Sequence, residues 1–219
     1  MKININNNKH VSFDLWLTLI KSHPEFKDKR NQLFKTYFNI PCEIEEVAAA
    51  IRHFDVFCND TNQRTGLNFN TFEIYYLILD RLKMDLDLIS TSQLNEFYNE
   101  CEHLFLQYKP ILIVENIENI LKKLKNSNIT INVLSNTAFI KGKTLRQLID
   151  FYGLTNYFDF QIYSDETGFS KPNSKMFDMV FTQANALQTV GKNEILHIGD
   201  NKIADFNGAT NYGFNAQLV

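Results

Sequence analysis

No run of about 18 apolar residues occurs anywhere in the 219-residue chain, so a transmembrane helix of the ordinary kind is excluded. The first residues, Met1 to His10, are polar and Asn-rich and contain no apolar stretch of the kind a signal peptide needs, which places the chain in the cytoplasm as an expectation. Cysteine is scarce and badly spaced. Cys42, Cys58 and Cys101 are odd in number, far apart and form no CxxC pair, which argues against a disulfide framework or structural zinc and for buried thiols in a reducing compartment. An excess of one charge is also lacking: 22 Lys and Arg face 25 Asp and Glu, and a net charge of -3 offers no basic footprint for nucleic acid. Asparagine is frequent but interspersed with Ile, Leu and Phe rather than collected in tracts, and no internal repeat is present.

What the chain does have is enough hydrophobic residues, 44%, for a real core. Val11 to Asp14, Ile129 to Leu134, Phe158 to Tyr163 and Ile195 to Ile198 read as short buried strands, each stopped by polar residues, with Asn215 to Val219 as a last edge strand. Between them lie helical patterns over Val114 to Lys125, Lys143 to Tyr152, Ser174 to Ala186 and Lys202 to Asn211. Strands alternating with helices imply an α/β fold, a three-layer Rossmann-like parallel sheet covered on both faces. In such a sheet ligands bind outside the carboxyl ends of the strands, where Asp14, Ser135 and Asp200 fall.

The stretch from Ile20 to about Pro110 breaks this alternation. Its apolar residues recur at helical spacing over Lys27 to Phe38, Glu43 to Cys58, Thr71 to Lys83 and Thr91 to Gln107, with no strand-like run between them. Asn70 or Thr71 with Glu73, and Ser92 farther on, are the start signals, and Pro110 lies beyond the last helix. The expected division is a core of residues 1–20 and 111–219 carrying an all-helical insertion of residues 21–110.

Four short segments carry the chemistry: Asp14 in Val-Ser-Phe-Asp-Leu-Trp-Leu-Thr, Ser135-Asn136 after the second strand, Lys171 in Gly-Phe-Ser-Lys-Pro, and Gly199-Asp200 with Asp205. In order and spacing they resemble the signature of the haloacid dehalogenase (HAD) superfamily, and the helical insertion stands where that superfamily places a C1-type cap. The resemblance implies a hydrolase whose nucleophile is Asp14, forming an aspartyl-phosphate and so dividing one hard step into two. It implies Mg²⁺ held by Asp14, Asp200 and the backbone carbonyl of Trp16, with Asp205 acting directly or through water. It further implies that Lys171 balances charge, that Ser135 and the Asn136 amide bind phosphoryl oxygens, and that the partner is a small phosphorylated metabolite. Thr18 stands in the turn after the nucleophile as support. His197 reads as a core histidine rather than a ligand.

Trp16 and Leu17 depart from the common Asp-x-Asp-Gly-Thr pattern. The indole replaces the aspartate that serves as general acid and base, a loss typically worth about 10²- to 10⁴-fold in rate. Leu17 replaces a glycine that eases the turn. Three readings therefore stand side by side: a Mg²⁺-dependent phosphatase; a 2-haloacid dehalogenase-like enzyme, whose halide leaves without a proton and whose substrate wants an arginine such as Arg30, Arg52 or Arg64; and a binding or regulatory protein on an impaired scaffold.

Overall fold

A computed structural model describes residue 3 and residues 7–219, so much of the polar N-terminal stretch read above lies outside the described residues. The chain starts with β1 (His10–Phe13) and β2 (Ile20–Lys21), passes through four helices, α1 (Phe26–Tyr37), α2 (Ile44–Thr65), α3 (Thr71–Arg81) and α4 (Thr91–Gln107), and returns at β3 (Ile111–Leu112). It continues through α5 (Ile117–Asn126), β4 (Thr130–Ser135), α6 (Gly142–Phe151), β5 (Phe160–Tyr163), the single turn α7 (Ser164–Thr167) and α8 (Ser174–Leu187). It closes with β6 (Ile195–Gly199), a π-helical turn at Lys202–Asn207, α9 (Gly208–Tyr212) and β7 (Asn215–Leu218).

Five strands form one parallel sheet in the order β5-β4-β1-β6-β7. All four residues of β1 are buried, because helices cover both faces of the central strand and leave no solvent side for a polar alternation. Phe13 is in register with Val133 on one side and Ile198 on the other, so the carboxyl ends of β1, β4 and β6 lie side by side, β4 and β6 running on to Ser135 and Gly199. The chain runs outward from β1 in opposite directions on its two sides, and that reversal opens a crevice at the strand ends.

The expected sheet and its helices are present, with three local differences. Helix α2 runs on to Thr65, well past Cys58, where apolar periodicity gives out; its last turns stay helical because buried Asn62 accepts from Phe69 N (3.0 Å) and Gly66, at φ 71°, supplies the left-handed cap. Ser90 rather than Ser92 caps α4, in a capping box with Gln93, as Asn70 and Glu73 do for α3. The helix expected over Lys202 to Asn211 is a wide π turn followed by α9.

The stretch from Ile20 to Pro110 is helical except at its very start, where β2 pairs antiparallel with β3, Ile20 against Leu112 and Lys21 against Ile111. Helices α1 to α4 pack around clustered aromatics, Phe34, Phe38, Tyr75 and Phe97, with Phe97 5.0–5.2 Å from each of the other three. Tyr75 is buried as core, whereas Phe57 is exposed. Among the described residues no helix is long and apolar enough to cross a membrane.

Candidate active site

Asp14 extends the β1 ladder by one bond, its N–H donating to Ile198 O at 2.8 Å, which fixes its carboxylate at the mouth of the crevice. The chain then folds back sharply: Leu17 N donates to Ile20 O and Leu19 N to Leu15 O. That turn puts Leu17 at φ 59°, a left-handed conformation that costs a residue with a Cβ roughly 1–2 kcal/mol and explains why the family pattern carries glycine there. The same turn swings Thr18 under Asp14, its hydroxyl donating to Asp14 Oδ2 at 2.9 Å.

Lys171 arrives from the loop before α8 and is only 1% exposed. Its ammonium donates to Asp14 Oδ1 at 2.8 Å, Asp205 Oδ1 at 2.7 Å and Leu134 O at 2.7 Å, using all three protons. The backbone of Lys171 is clamped by the Asn136 side chain, which accepts from its N–H (2.8 Å) and donates to its carbonyl (3.0 Å). Asn136 thus holds the lysine as well as offering its own amide. Ser135 is fully buried, with its hydroxyl donating to Asn136 O at 3.2 Å, and it lies behind the cavity wall rather than on it.

The π turn brings Asp205 back against the end of β6. A Cβ at Gly199 would lie 2.2 Å from Asp205 Cγ, so only glycine admits the carboxylate there. Asp205 Oδ2 accepts from Asn201 N (3.0 Å), while Oδ1 accepts from Lys171 and from His197 Nε2 (3.1 Å). His197 is in the core, as read from the sequence, yet it also orients Asp205; its Nδ1 accepts from Ser12 Oγ (3.0 Å), so Nε2 carries the proton. The sequence signal for this role is its position two residues before Gly199 in a strand beside β1.

Burial pushes the Asp14 carboxyl up to about 6, with Lys171 and the Thr18 hydroxyl pulling against it and the Asp205 charge adding to it. Burial opposes ionisation of Asp205 as well, but the Lys171 charge and the bonds from His197 and Lys171 outweigh it and hold this carboxyl below the usual range. Asp200 is raised by partial burial and by Asp205. Burial lowers His197, which stays neutral.

Oxygens of Asp14, Asp200 and Asp205 all lie within 4.8 Å of one another. An all-oxygen, carboxylate-rich set of this size suits a hard divalent cation such as Mg²⁺, which takes one or two carboxylates and keeps several waters. Asp205 already accepts three hydrogen bonds, so Asp14 and Asp200 are the better placed for direct contact.

Above these residues is a cavity of about 420 Å³, walled by Trp16, Asn136 and Phe139 below and by Arg30, Arg52 and Asp55 of α1 and α2 above. Trp16 packs edge-on to Phe105 at 6.2 Å between centroids. A more open depression of about 720 Å³ beside Val114 and Leu218 holds none of the three clustered aspartates.

Residues 11–219 match the family model of haloacid dehalogenase-like hydrolases. An uncharacterised hydrolase of Schizosaccharomyces pombe is 32% identical over 89 residues, 40% of this chain and 37% of its own length. A magnesium-bound structure of YfnB from Bacillus subtilis, described as a HAD hydrolase, superposes with a TM-score of 0.70 at 16% identity, covering 97% of this chain and 88% of that one. A 2-haloacid dehalogenase from Pseudomonas syringae gives 0.64 at 18% identity, covering 95% and 85%. At such identities the two structures speak for the fold alone. Taken with the family match across nearly the whole sequence, they establish that the chain belongs to the haloacid dehalogenase-like hydrolases.

Proposed function

We propose that the protein is a Mg²⁺-dependent phosphatase acting through an aspartyl-phosphate on a small phosphorylated metabolite, with residues 21–110 as a cap over a core of residues 1–20 and 111–219. The observation that carries this reading is the clustering of Asp14, Asp200 and Asp205 at the strand ends, with Lys171 bonded to two of them. A carboxylate attacking a phosphate must overcome repulsion between anions. When bound, Mg²⁺ supplies the positive charge that offsets it and favours the ionised form of Asp14. Asp14, Asp200 and the Trp16 carbonyl would hold it, with Asp205 directly or through water.

Asp14, aligned by Lys171 and Thr18, attacks phosphorus as the bond to the leaving oxygen breaks. Lys171 and the Asn136 amide offset the charge on the phosphoryl oxygens, with Ser135 supporting that wall. Water then hydrolyses the acyl phosphate, releasing inorganic phosphate and restoring Asp14. Trp16 has no proton to give the departing oxygen, and Asp55, a carboxylate on the cavity from the helical segment, is tied to Arg52 at 3.1 Å. Aryl and acyl phosphates, whose oxygens leave without protonation, are therefore the favoured substrates.

The test is hydrolysis of aryl, acyl and alkyl phosphates with and without Mg²⁺. Metal-dependent turnover ranking aryl and acyl above alkyl, abolished by Asp14→Asn, is expected; equal rates for wild type and Asp14→Asn would overturn the nucleophile assignment. The indole at position 16 and the two arginines on the cavity favour a second, dehalogenase-like reading, against which Asp200 and Asp205 weigh because halide displacement needs no cation. Metal-independent chloride release from 2-chloropropionate would select it.

A further inference from the structure

The turn between α2 and α3 lies against the loop that brings Lys171 into the site. Gly66 ends α2 in a left-handed conformation, and its bare Cα permits a close approach, since a Cβ there would fall 2.8 Å from Asn173 Nδ2. Leu67 and Phe169 form an antiparallel bridge, flanked by Asn68 N donating to Gly168 O (3.1 Å) and Ser170 N donating to Gly66 O (3.0 Å). Asn173 Nδ2 donates to Gly66 O as well, at 3.0 Å. The side chain of Asn68 reaches deeper. Its Oδ1 accepts from Ser164 Oγ at 2.7 Å and from Ser170 Oγ at 3.1 Å, while its Nδ2 donates to Phe69 O at 2.8 Å. Both serines are fully buried. Ser170 precedes Lys171 in the chain, and Ser164 Oγ accepts at 2.7 Å from the N–H of Thr137, the neighbour of the Asn136 that clamps the lysine backbone. One amide oxygen of the helical segment therefore ties together the loop that carries the ammonium and the loop that grips it.

We propose that Asn68 is a positioning residue for Lys171, acting through Ser170 and Ser164, so that the helical segment fixes the ammonium against Asp14 as well as walling the cavity. What this does for turnover rests on the phosphatase reading; what it does to the place of Lys171 does not. A buried hydroxyl that loses its acceptor is costly to leave unpaired. Without Asn68 Oδ1, the Ser170 hydroxyl has to turn or its loop has to shift, and the ammonium one residue further on bonds three oxygens at 2.7–2.8 Å, contacts that a small shift breaks. Misplacing a group of this kind by about 1 Å can cost on the order of 10²-fold in rate. A tie that merely held the segment in place would carry no such effect, and Tyr98 supplies one for comparison. Its hydroxyl joins α4 to the start of α6, bonding Thr144 Oγ1 at 2.7 Å and accepting from Lys141 N at 3.1 Å, away from the loop that carries Lys171.

The test compares wild type with Asn68→Leu, Ser170→Ala, their double variant and Tyr98→Phe, each assayed at a temperature where urea denaturation shows it fully folded. With para-nitrophenyl phosphate and saturating Mg²⁺, Asn68→Leu should lower kcat about tenfold or more and change KM by less than kcat. Tyr98→Phe should keep the wild-type kcat even where it lowers the urea midpoint. The double variant should lose little more than Asn68→Leu alone, because the Ser170 hydroxyl has no acceptor left to lose. An unchanged kcat in folded Asn68→Leu, an equal loss in Tyr98→Phe, or single losses that multiply in the double variant would each overturn the proposal. Crystal structures of metal-free wild type and Asn68→Leu give a reading that needs no turnover: the ammonium of the variant should leave at least one of Asp14 Oδ1 and Asp205 Oδ1. A displaced ammonium supports the role of Asn68 even if wild type hydrolyses no phosphate, and one still bonded to both carboxylates refutes it even if the phosphatase reading stands.

Discussion

Replacing Lys171 by methionine keeps the length and bulk of the side chain and removes one charge from the middle of the site. Asp14 and Asp205 are 6% and 2% exposed, so the two carboxylates left behind have neither a cation nor bulk water to stabilise them. Deleting one partner of a buried ion pair typically costs about 3–5 kcal/mol. The sign of the pH dependence follows from the carboxylates, because the folded-state pKa of Lys171 is raised, so the ammonium's contribution is fully present throughout the acid and neutral range. Asp14 already titrates at about 6 with the lysine in place, and without the lysine's lowering influence the carboxyl rises further. Neutralisation relieves the repulsion, so the stability deficit of Lys171→Met should be largest near pH 7.5 and shrink on acidification toward pH 5. Urea denaturation of metal-free wild type and variant at both pH values measures this, with exposed Lys175→Met as a control expected to stay within about 0.5 kcal/mol. A deficit below about 1 kcal/mol at neutral pH, or one that grows on acidification, would refute the reasoning from buried charge.

Gly199→Ala should cost about 1–3 kcal/mol and displace Asp205 from Lys171, because the added Cβ falls 2.2 Å from the carboxyl carbon; a urea midpoint and a turnover rate both equal to wild type would show that Asp205 moves aside freely. Away from the site, burial holds His10 at about 4 while its ring nitrogens bond Thr130 Oγ1 (2.7 Å) and Asn132 Oδ1 (2.8 Å). The unfolded chain takes up a proton there near 6.5, so stability falls as pH drops from 7 to 5, by about 2 kcal/mol more in wild type than in His10→Phe; parallel pH profiles for the two proteins would contradict this.

The strands and the residues at their ends were legible in the sequence because each buried strand is short, apolar and stopped by a polar residue, and Asp14, Ser135 and Asp200 occupy those stops. The long α1 to α4 stretch was legible from helical spacing. What periodicity does not carry is convergence: the bonds from Lys171 to both Asp14 and Asp205, the Asn136 clamp and the His197 contact join residues up to 157 positions apart. The π turn escaped because its residues suit an ordinary helix locally, and it is the close approach of Asp205 to Gly199 that accompanies the wider winding. Leu17 was visible as a departure, but its backbone strain was not, since φ belongs to the turn and not to the residue type.

The two-residue ladder of β2 with β3 makes the helical segment enter and leave the rest of the molecule at a single clasp. With both ends fastened side by side, lengthening or exchanging what hangs between them adds loop-closure entropy only slowly, by about 0.6 kcal/mol per doubling of length. Lengthening this segment at an exposed loop should therefore cost little, whereas exchanging it whole should not, because Phe34, Tyr75 and Phe97 share one buried core with Phe13 and Val133 of the sheet.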